Sequence, residues 1–353
     1  MEGNLKERDI YFLTIGDKGY SRSWNYFTGL RKNGVKVEFL KLNNTKLLKK
    51  FIAIRKQTKR NDIYIVMSPS HYLTPFTRIF LGKNTYLDAG WSLFEGSILA
   101  RRQIGLLGIN LIKTYLIDLL ASIFAKRIFL ESEAQVNFYC KLLLVRKSKC
   151  SAIYTGVDED QFEVNYDFPT PSDIYGNGAI VMFRGKYTAE AGLEILAQAS
   201  RILEEEKITF WIFSPGIPEN LEFSKNTFVF DKYIDSKQDF AKMYLSAKLT
   251  LGQFSKHPRL DRTIPHKAYE SALLSKPYLT SRTKGILEVF SENREILCFQ
   301  PADPIDLAHK IKLFFSDTIR FKKVGDGMHD KYNLELSQSI LASRLFDLIE
   351  KSL

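Results

Sequence analysis

Apolar residues along this chain come in two alternating rhythms. Short unbroken runs, Ile10–Ile15, Val35–Leu40, Ile63–Met67, Thr85–Leu87 and Arg127–Leu130, are rich in β-branched and aromatic side chains and predict strands buried on both faces, as in a parallel sheet. The segments between them carry apolar residues at helical spacing, and Gly34, following GLRKN, is a natural left-handed helix end that leads into the next strand. A second alternation places strands at Ala179–Phe183, Ile208–Phe213, Thr227–Phe230, Leu249–Gly252, Pro277–Thr280 and Glu295–Phe299, with helices such as Glu190–Glu206 and Ser236–Ala247 among them. Asn165–Gly178, with two prolines and few apolar residues, separates the two series and reads as a linker.

This rhythm predicts an α/β chain of two doubly wound domains, residues 1–164 and 165–333, followed by an amphipathic helix over 334–353 that packs back toward the N-terminal domain. Sheets of this kind bind ligands at the carboxyl ends of their strands, so the two domains are expected to face a central cleft. The longest apolar stretch, Ile104–Leu130, is interrupted by Lys113, Asp118 and Lys126. That is too polar for a membrane span and predicts a core helix, with contact at a membrane interface as the second reading.

Length and composition change little: 353 residues with 45% hydrophobic and 26% charged side chains suit two globular cores. Charge changes more. Residues 1–164 hold 26 Lys and Arg against 15 Asp and Glu, whereas residues 165–353 hold 25 of each, so the whole excess of 11 sits in the first half. The cluster Lys46, Lys49, Lys50, Arg55, Lys56, Lys59 and Arg60 favours an anionic membrane surface or a polyanionic acceptor, against the plainer reading that these side chains keep a helix soluble. Zinc-finger spacing, RNP-like strings and heptads do not accompany the charge, so no nucleic-acid partner is expected. Cys140, Cys150 and Cys298 form no CxxC, and the polar start MEGNLKERDIYFL lacks the apolar core of a signal peptide. A cytoplasmic protein, peripheral on the inner face of the cytoplasmic membrane, fits both.

The most informative segment is IPHKAYESALLSKP, Ile264–Pro277. Pro265 suits a first helical turn, and amides at that start together with the helix dipole attract phosphate. Lys267 adds a full positive charge, while Glu270, one turn on, can accept two hydroxyl hydrogen bonds from a ribose. Alone, the pair reads equally well as an i, i+3 surface pair.

Four stretches in order give this segment a context: TGVDEDQF (155–162), FRGKYTAEAGLEILAQA (183–199), IPHKAYESALLSKPYLTS (264–281) and ILCFQPADPIDLAHKI (296–311). They resemble NGVDxxxF, GRxxxxKGLxxLLxA, PxKxxEAMAxGKPVVAS and GLLVPPGDPEALAxAI of the group 1, family 4 glycosyltransferases, which have the two-Rossmann-domain architecture called GT-B. The resemblance implies a Rossmann-like acceptor-binding domain first and a nucleotide-sugar-binding domain second. Glu270 would hold the ribose, and Ile264, Pro265 and His266 would lie near the diphosphate. Gly185 matches the glycine of the family's GR pair, Lys186 its phosphate-binding Arg, and Arg184 would share that work.

Two positions depart from the family. Its second phosphate lysine is Ala191 here, with Lys267 as the replacement, and the Glu eight residues before Glu270, aimed at the donor sugar, is Arg262, beside Asp261. Asp261 and Arg262 are therefore the donor-sugar candidates. In the first domain, Asp88 stands where the family places a His or Asp at the end of the fourth strand, and is expected to assist the acceptor hydroxyl as the catalytic residue; a turn or helix-cap Asp is the alternative. His71 in SPSHYLTP and the glycines of IGDKG, Gly16 and Gly19, are candidate acceptor or phosphate contacts. Asp158–Asp160, DED, suggests Asp-x-Asp metal binding, but its place at the domain junction and the family's habit argue for no metal and no other cofactor.

The expected function is a hexosyltransferase-like, metal-independent transfer of a sugar from a nucleotide-diphosphate sugar to the hydroxyl of a glycan or lipid-linked acceptor, in cell-surface polysaccharide or lipid-linked saccharide synthesis, with retention of configuration. The alternative is a non-catalytic GT-B scaffold that binds glycan or nucleotide, for which Arg262 and Ala191 argue.

Overall fold

The computed structural model describes residues 8–15, 21–42, 46–59, 61–96, 107–162, 179–231 and 237–353. They form two compact units, Met1–Asp158 with Ser337–Leu353, and Glu159–Leu336. The division therefore falls at 158/159 and 336/337 rather than 164/165 and 333/334. The expected linker, residues 165–178, lies outside the described residues.

In the first unit, β1 (Ile10–Thr14), β2 (Val37–Lys41), β3 (Ile63–Met67), β4 (Thr85–Gly90), β5 (Ile128–Leu130) and β6 (Cys150–Ala152) make one parallel sheet ordered β2-β1-β3-β4-β5-β6. Its helices are α1 (Ser21–Lys32), α2 (Leu47–Gln57), α3 (Leu73–Phe80), α4 (Leu107–Phe124), α5 (Glu133–Leu143) and, from the far end of the sequence, α12 (Gln338–Glu350). β1, β3, β4 and β5 carry unbroken runs of buried side chains because helices cover both faces of the sheet there. α12 lies on α1, setting Leu341, Leu345 and Ile349 into a core with Phe12, Tyr26 and Ile65. Gly29 makes that approach possible, since a Cβ there would come within 2.4 Å of the Gln338 carbonyl oxygen. α4 is the helix expected within Ile104–Leu130. Its inward side buries the polar Asp118 and Ser122 along with Ala121. Among the described residues no helix is long and apolar enough to cross a membrane.

The second unit holds β7 (Ala179–Arg184), β8 (Ile208–Phe213), β9 (Thr227–Phe230), β10 (Leu249–Leu251), β11 (Tyr278–Ser281) and β12 (Leu297–Phe299), ordered β12-β11-β10-β7-β8-β9 and all parallel. Its helices are α6 (Leu193–Ile202), α7 (Lys237–Ser246), α8 (His266–Leu273), α9 (Lys284–Val289), α10 (Pro304–Ser316) and α11 (Thr318–Lys331). Chain direction across the sheet reverses between β7 and β10, and an open α/β sheet offers its ligand crevice at the carboxyl ends of such a strand pair. β7 ends at Arg184 and is followed by Gly185, and β10 ends at Leu251 and is followed by Gly252 and Gln253. These residues, not the sheet as a whole, define where a site can form.

Candidate functional site

α8 runs up to this switch point. Pro265 is its cap residue, one position before the first helical turn, with φ −58° and ψ 132°. The helix buries Lys267 and Glu270 instead of showing them as a surface pair, at 7% and 2% exposure. The two side chains leave in different directions. Lys267 Nζ donates to the Gly252 carbonyl oxygen and to Gln253 Oε1, 3.3 Å in each case, and sits 4.0 Å over the Phe183 ring. Glu270 takes three donors: Arg184 Nη2 and His266 Nδ1 (2.9 Å) reach one carboxylate oxygen, and the Tyr244 hydroxyl reaches the other.

The electrostatics follow. Burial alone would raise the Glu270 pKa, but Arg184, His266 and Tyr244 overcome it and hold it down at about 2, against 4.5 unperturbed. Burial, helped by the nearby Arg184 charge, pushes Lys267 well below the ordinary lysine range, and burial beside Glu270 pushes Tyr244 well up. The ionised Glu270 is thus the favoured form in the folded chain. Its contribution to stability is fully present above about pH 4.5 and is lost as pH falls toward 2. Acid titration of wild type and Glu270→Gln by urea unfolding should therefore show their stability difference shrinking from pH 5 to pH 3; a constant gap would rule this linkage out.

Two glycines make the cradle. A Cβ on Gly185 would come within 3.2 Å of Lys267 Nζ and of the Phe183 ring, and one on Gly252 within 2.3 Å of Thr280 Oγ1. Gly185→Ala should displace the lysine amine and, because Gly185 holds a φ of 159° that side chains rarely adopt, cost about 1–3 kcal/mol of stability, so nucleotide affinity is expected to fall even at temperatures where the variant is fully folded. Equal affinity in calorimetric titration would show that the amine's place is immaterial.

The other expected donor-side residues are spread around this centre. Arg184 is half-buried and lies 4.4 Å over the Phe240 ring, Lys186 is exposed, and Ile264 is buried. Asp261 is exposed and accepts from the Lys284 backbone N–H at the start of α9 (3.2 Å), so its carboxylate serves a helix end. Arg262 is half-buried after a 3-10 turn, Pro258–Asp261. Ala191 is buried and its carbonyl accepts from Phe254 N, which leaves the missing family lysine without a substitute at that point of the chain. Tyr244, Gln253 and Phe240 were not expected. They reach the site from α7 and from the end of β10, and no local spacing marks them.

No protein-family model matches the sequence, and a search of curated proteins finds no match. Solved structures do match. The HepE protein of Anabaena in complex with UDP-glucose aligns with 97% of this chain and 99% of its own at 13% identity and TM-score 0.71. Sucrose-phosphate synthase of Thermosynechococcus elongatus aligns with 98% and 99% at 11% identity and TM-score 0.73, and a glycosyltransferase of Rickettsia africae with 98% of both at 14% and 0.65. The chain has the GT-B glycosyltransferase fold. At these identities the likeness is one of fold, and it spans both α/β units.

Within this GT-B fold the first unit treats its expected site residues differently. Asp88 lies inside β4, which runs on to Gly90, and is 1% exposed. Arg22, itself fully buried on α1, grips it: Nε donates to both carboxylate oxygens at 3.0 and 3.1 Å, and Nη2 to Oδ1 at 2.7 Å. Arg22 also donates to the Ile153 carbonyl (2.7 Å) and to Thr155 Oγ1 (3.3 Å). Burial would lower the Arg22 pKa, but Asp88 outweighs it and the guanidinium stays charged. Asp88, expected to assist the acceptor hydroxyl, thus has both carboxylate oxygens taken by Arg22 inside the core and stands there as half of a buried ion pair. His71 is likewise inside the unit, fully buried, with Nδ1 2.7 Å from Asp118 Oδ1. The other Asp118 oxygen accepts from Ser92 Oγ (2.7 Å) and Phe94 N (3.0 Å). His71 therefore braces α4 against the start of α3 and is not presented as an acceptor contact. Gly16 and Gly19 lie outside the described residues. Among the described residues no three His, Cys, Asp or Glu side chains are placed to hold a metal ion.

Proposed function

We propose that this protein is a glycosyltransferase of the family 4 type, which moves a sugar from a nucleotide-diphosphate sugar to an acceptor hydroxyl with retention and without a metal. The observation that carries the reading is the buried, ionised Glu270 beside Lys267 and Arg184 at the β7/β10 switch point. A carboxylate there accepts the two hydroxyls of a ribose, and Lys267 one turn before it together with Arg184 from the end of β7 suits a diphosphate. Ribose binding displaces Arg184 from Glu270, and the freed guanidinium turns to the phosphates. The HepE structure with UDP-glucose makes a uridine nucleotide the first choice.

In the transfer itself the bond from the sugar's anomeric carbon to the diphosphate oxygen breaks, and the diphosphate leaves with the electron pair. The acceptor hydroxyl oxygen bonds to that carbon from the same face and gives its proton to the departing phosphate oxygen. Lys267, Arg184 and Lys186 stabilise the charge that develops on the leaving group, in the place a metal would otherwise take. The basic first half of the chain points to a lipid-linked or otherwise anionic glycan as acceptor, at the inner face of the cytoplasmic membrane.

A panel of UDP, GDP, ADP and CMP in thermal melts tests the reading: one of the diphosphates, UDP first, should raise the midpoint, since a ligand that binds only the native state stabilises it. Because Lys267 is held below its ordinary pKa until a phosphate arrives, binding should take up protons and weaken as pH rises. Titrations in buffers of different ionisation heats measure this. The non-catalytic scaffold reading rests on Arg262, where no carboxylate meets the donor sugar; a panel without any response would favour it.

A further inference from the structure

The first unit turns an apolar face outward on three neighbouring helices. α4 exposes Ile112, Leu116, Leu120 and Ile123, each between 46% and 59%, while its inward side buries Asp118 and Ser122. Their spacing of four, four and three puts them on one stripe, the reverse of an ordinary surface helix. α3 packs against α4 and exposes Phe76 and Ile79; α2 packs against α3 and exposes Leu48 and Ile52. Single exposed apolar residues need no explanation, but a contiguous set over three helices marks a surface with a partner.

Charge identifies the partner. Residues 46–59, α2 with its flanks, hold six Lys and Arg and no acidic residue. α3 has none either, and the acid of α4, Asp118, is spent on His71. At the carboxyl end of α4 an open cavity of about 780 Å³ has an apolar floor that includes Tyr115, Leu119 and Leu143 and a rim of Lys126, Arg127, Arg146 and Lys149, with no carboxylate side chain in its lining. Lys126 and Lys149 donate to the neutral oxygens of Asn84 (3.4 Å) and Ile123 (3.0 Å). Leu144 closes α5 in the left-handed region at φ 54° and holds an 88% exposed side chain at the mouth.

We infer that this α2–α3–α4 face docks on an anionic lipid bilayer, its apolar side chains entering the headgroup boundary while the flanking cations and the basic cavity take lipid phosphates. The inference deepens the proposed function, on which it rests for the place of the acceptor. Nucleic acid would satisfy the cations but leave Ile and Leu in water. A second copy in a symmetric pair would set like charges against each other.

Co-sedimentation of the full chain with phosphatidylglycerol/phosphatidylcholine vesicles, and with phosphatidylcholine alone, tests this at about 0.1 M and about 0.5 M salt. The expected result is binding roughly tenfold tighter to the anionic vesicles, weakened by salt. Leu116→Asp with Leu120→Asp, and separately Lys126→Glu with Arg146→Glu, should each reduce it by roughly tenfold, with the UDP-induced rise in melting temperature retained as proof of a folded chain. Equal partition to both vesicles, no binding to either, or binding untouched by variants that fold would overturn the inference. So would a concentration-dependent dimer, or salt-sensitive RNA retention, lost in the same variants when vesicles are not bound. If vesicles bind while UDP shifts nothing, the transferase reading fails and the docking face stands.

Discussion

Asp88→Ala is expected to destabilise the first unit by about 3–5 kcal/mol, because it strands the fully buried Arg22 guanidinium without a counter-charge. Replacing the pair together, Arg22→Met with Asp88→Leu, should recover much of that loss, since a packed apolar pair avoids the desolvation cost of two buried ions. Trp24 and Trp91 belong to this unit and Trp211 to the other, so tryptophan fluorescence in a Trp211→Phe background reports its unfolding in urea. The isosteric Asp88→Asn separates the roles further. If Asp88 acted as the proton acceptor, this variant would lose turnover while folding normally. A bracing role predicts turnover that falls only with the folded fraction, and wild-type stability in the Ala variant would refute that role.

Glu270→Gln should weaken UDP binding by about 10- to 100-fold, the size expected when charged hydrogen bonds to two hydroxyls become neutral ones. Part of the effect has another source: with the carboxylate's charge gone, Arg184 and His266 share only a neutral amide oxygen. Arg184→Ala resolves the two contributions. It leaves Glu270 free of its competing partner while removing a phosphate cation, so uridine should bind as well as or better than in the wild type and UDP distinctly worse. Isothermal titration with both ligands reads the difference. Unchanged UDP affinity in Glu270→Gln would dispose of the ribose contact, and parallel losses of uridine and UDP in Arg184→Ala would mean that the arginine only holds the site in shape.

The parts of this fold that could be read from the sequence are those whose signal is local. Eleven of the twelve described strands announce themselves as apolar runs because helices cover the faces of each sheet. β6 escaped because Cys150–Ala152 is short and only its cysteine is buried. The apolar run of β4 stops at Leu87, whereas the strand runs through Asp88 to Gly90. It continues because Arg22, 66 residues away in sequence, neutralises the aspartate inside the core. The same division runs through the site. Lys267 and Glu270 stand out through their spacing after Pro265, but not the opposite courses of their side chains. Tyr244 and Gln253, on other elements, complete the cluster by tertiary packing alone.

The first unit is assembled from two stretches of chain separated by the whole of the second, and its core includes side chains of α12. During synthesis, residues 1–158 must therefore wait with the surface of α1 that receives Leu341 and Leu345 uncovered, whereas 159–336 can close as soon as they emerge. The second unit can therefore be complete before the first. A premature stop shortly before Gln338 would damage the unit encoded first and spare the one encoded last.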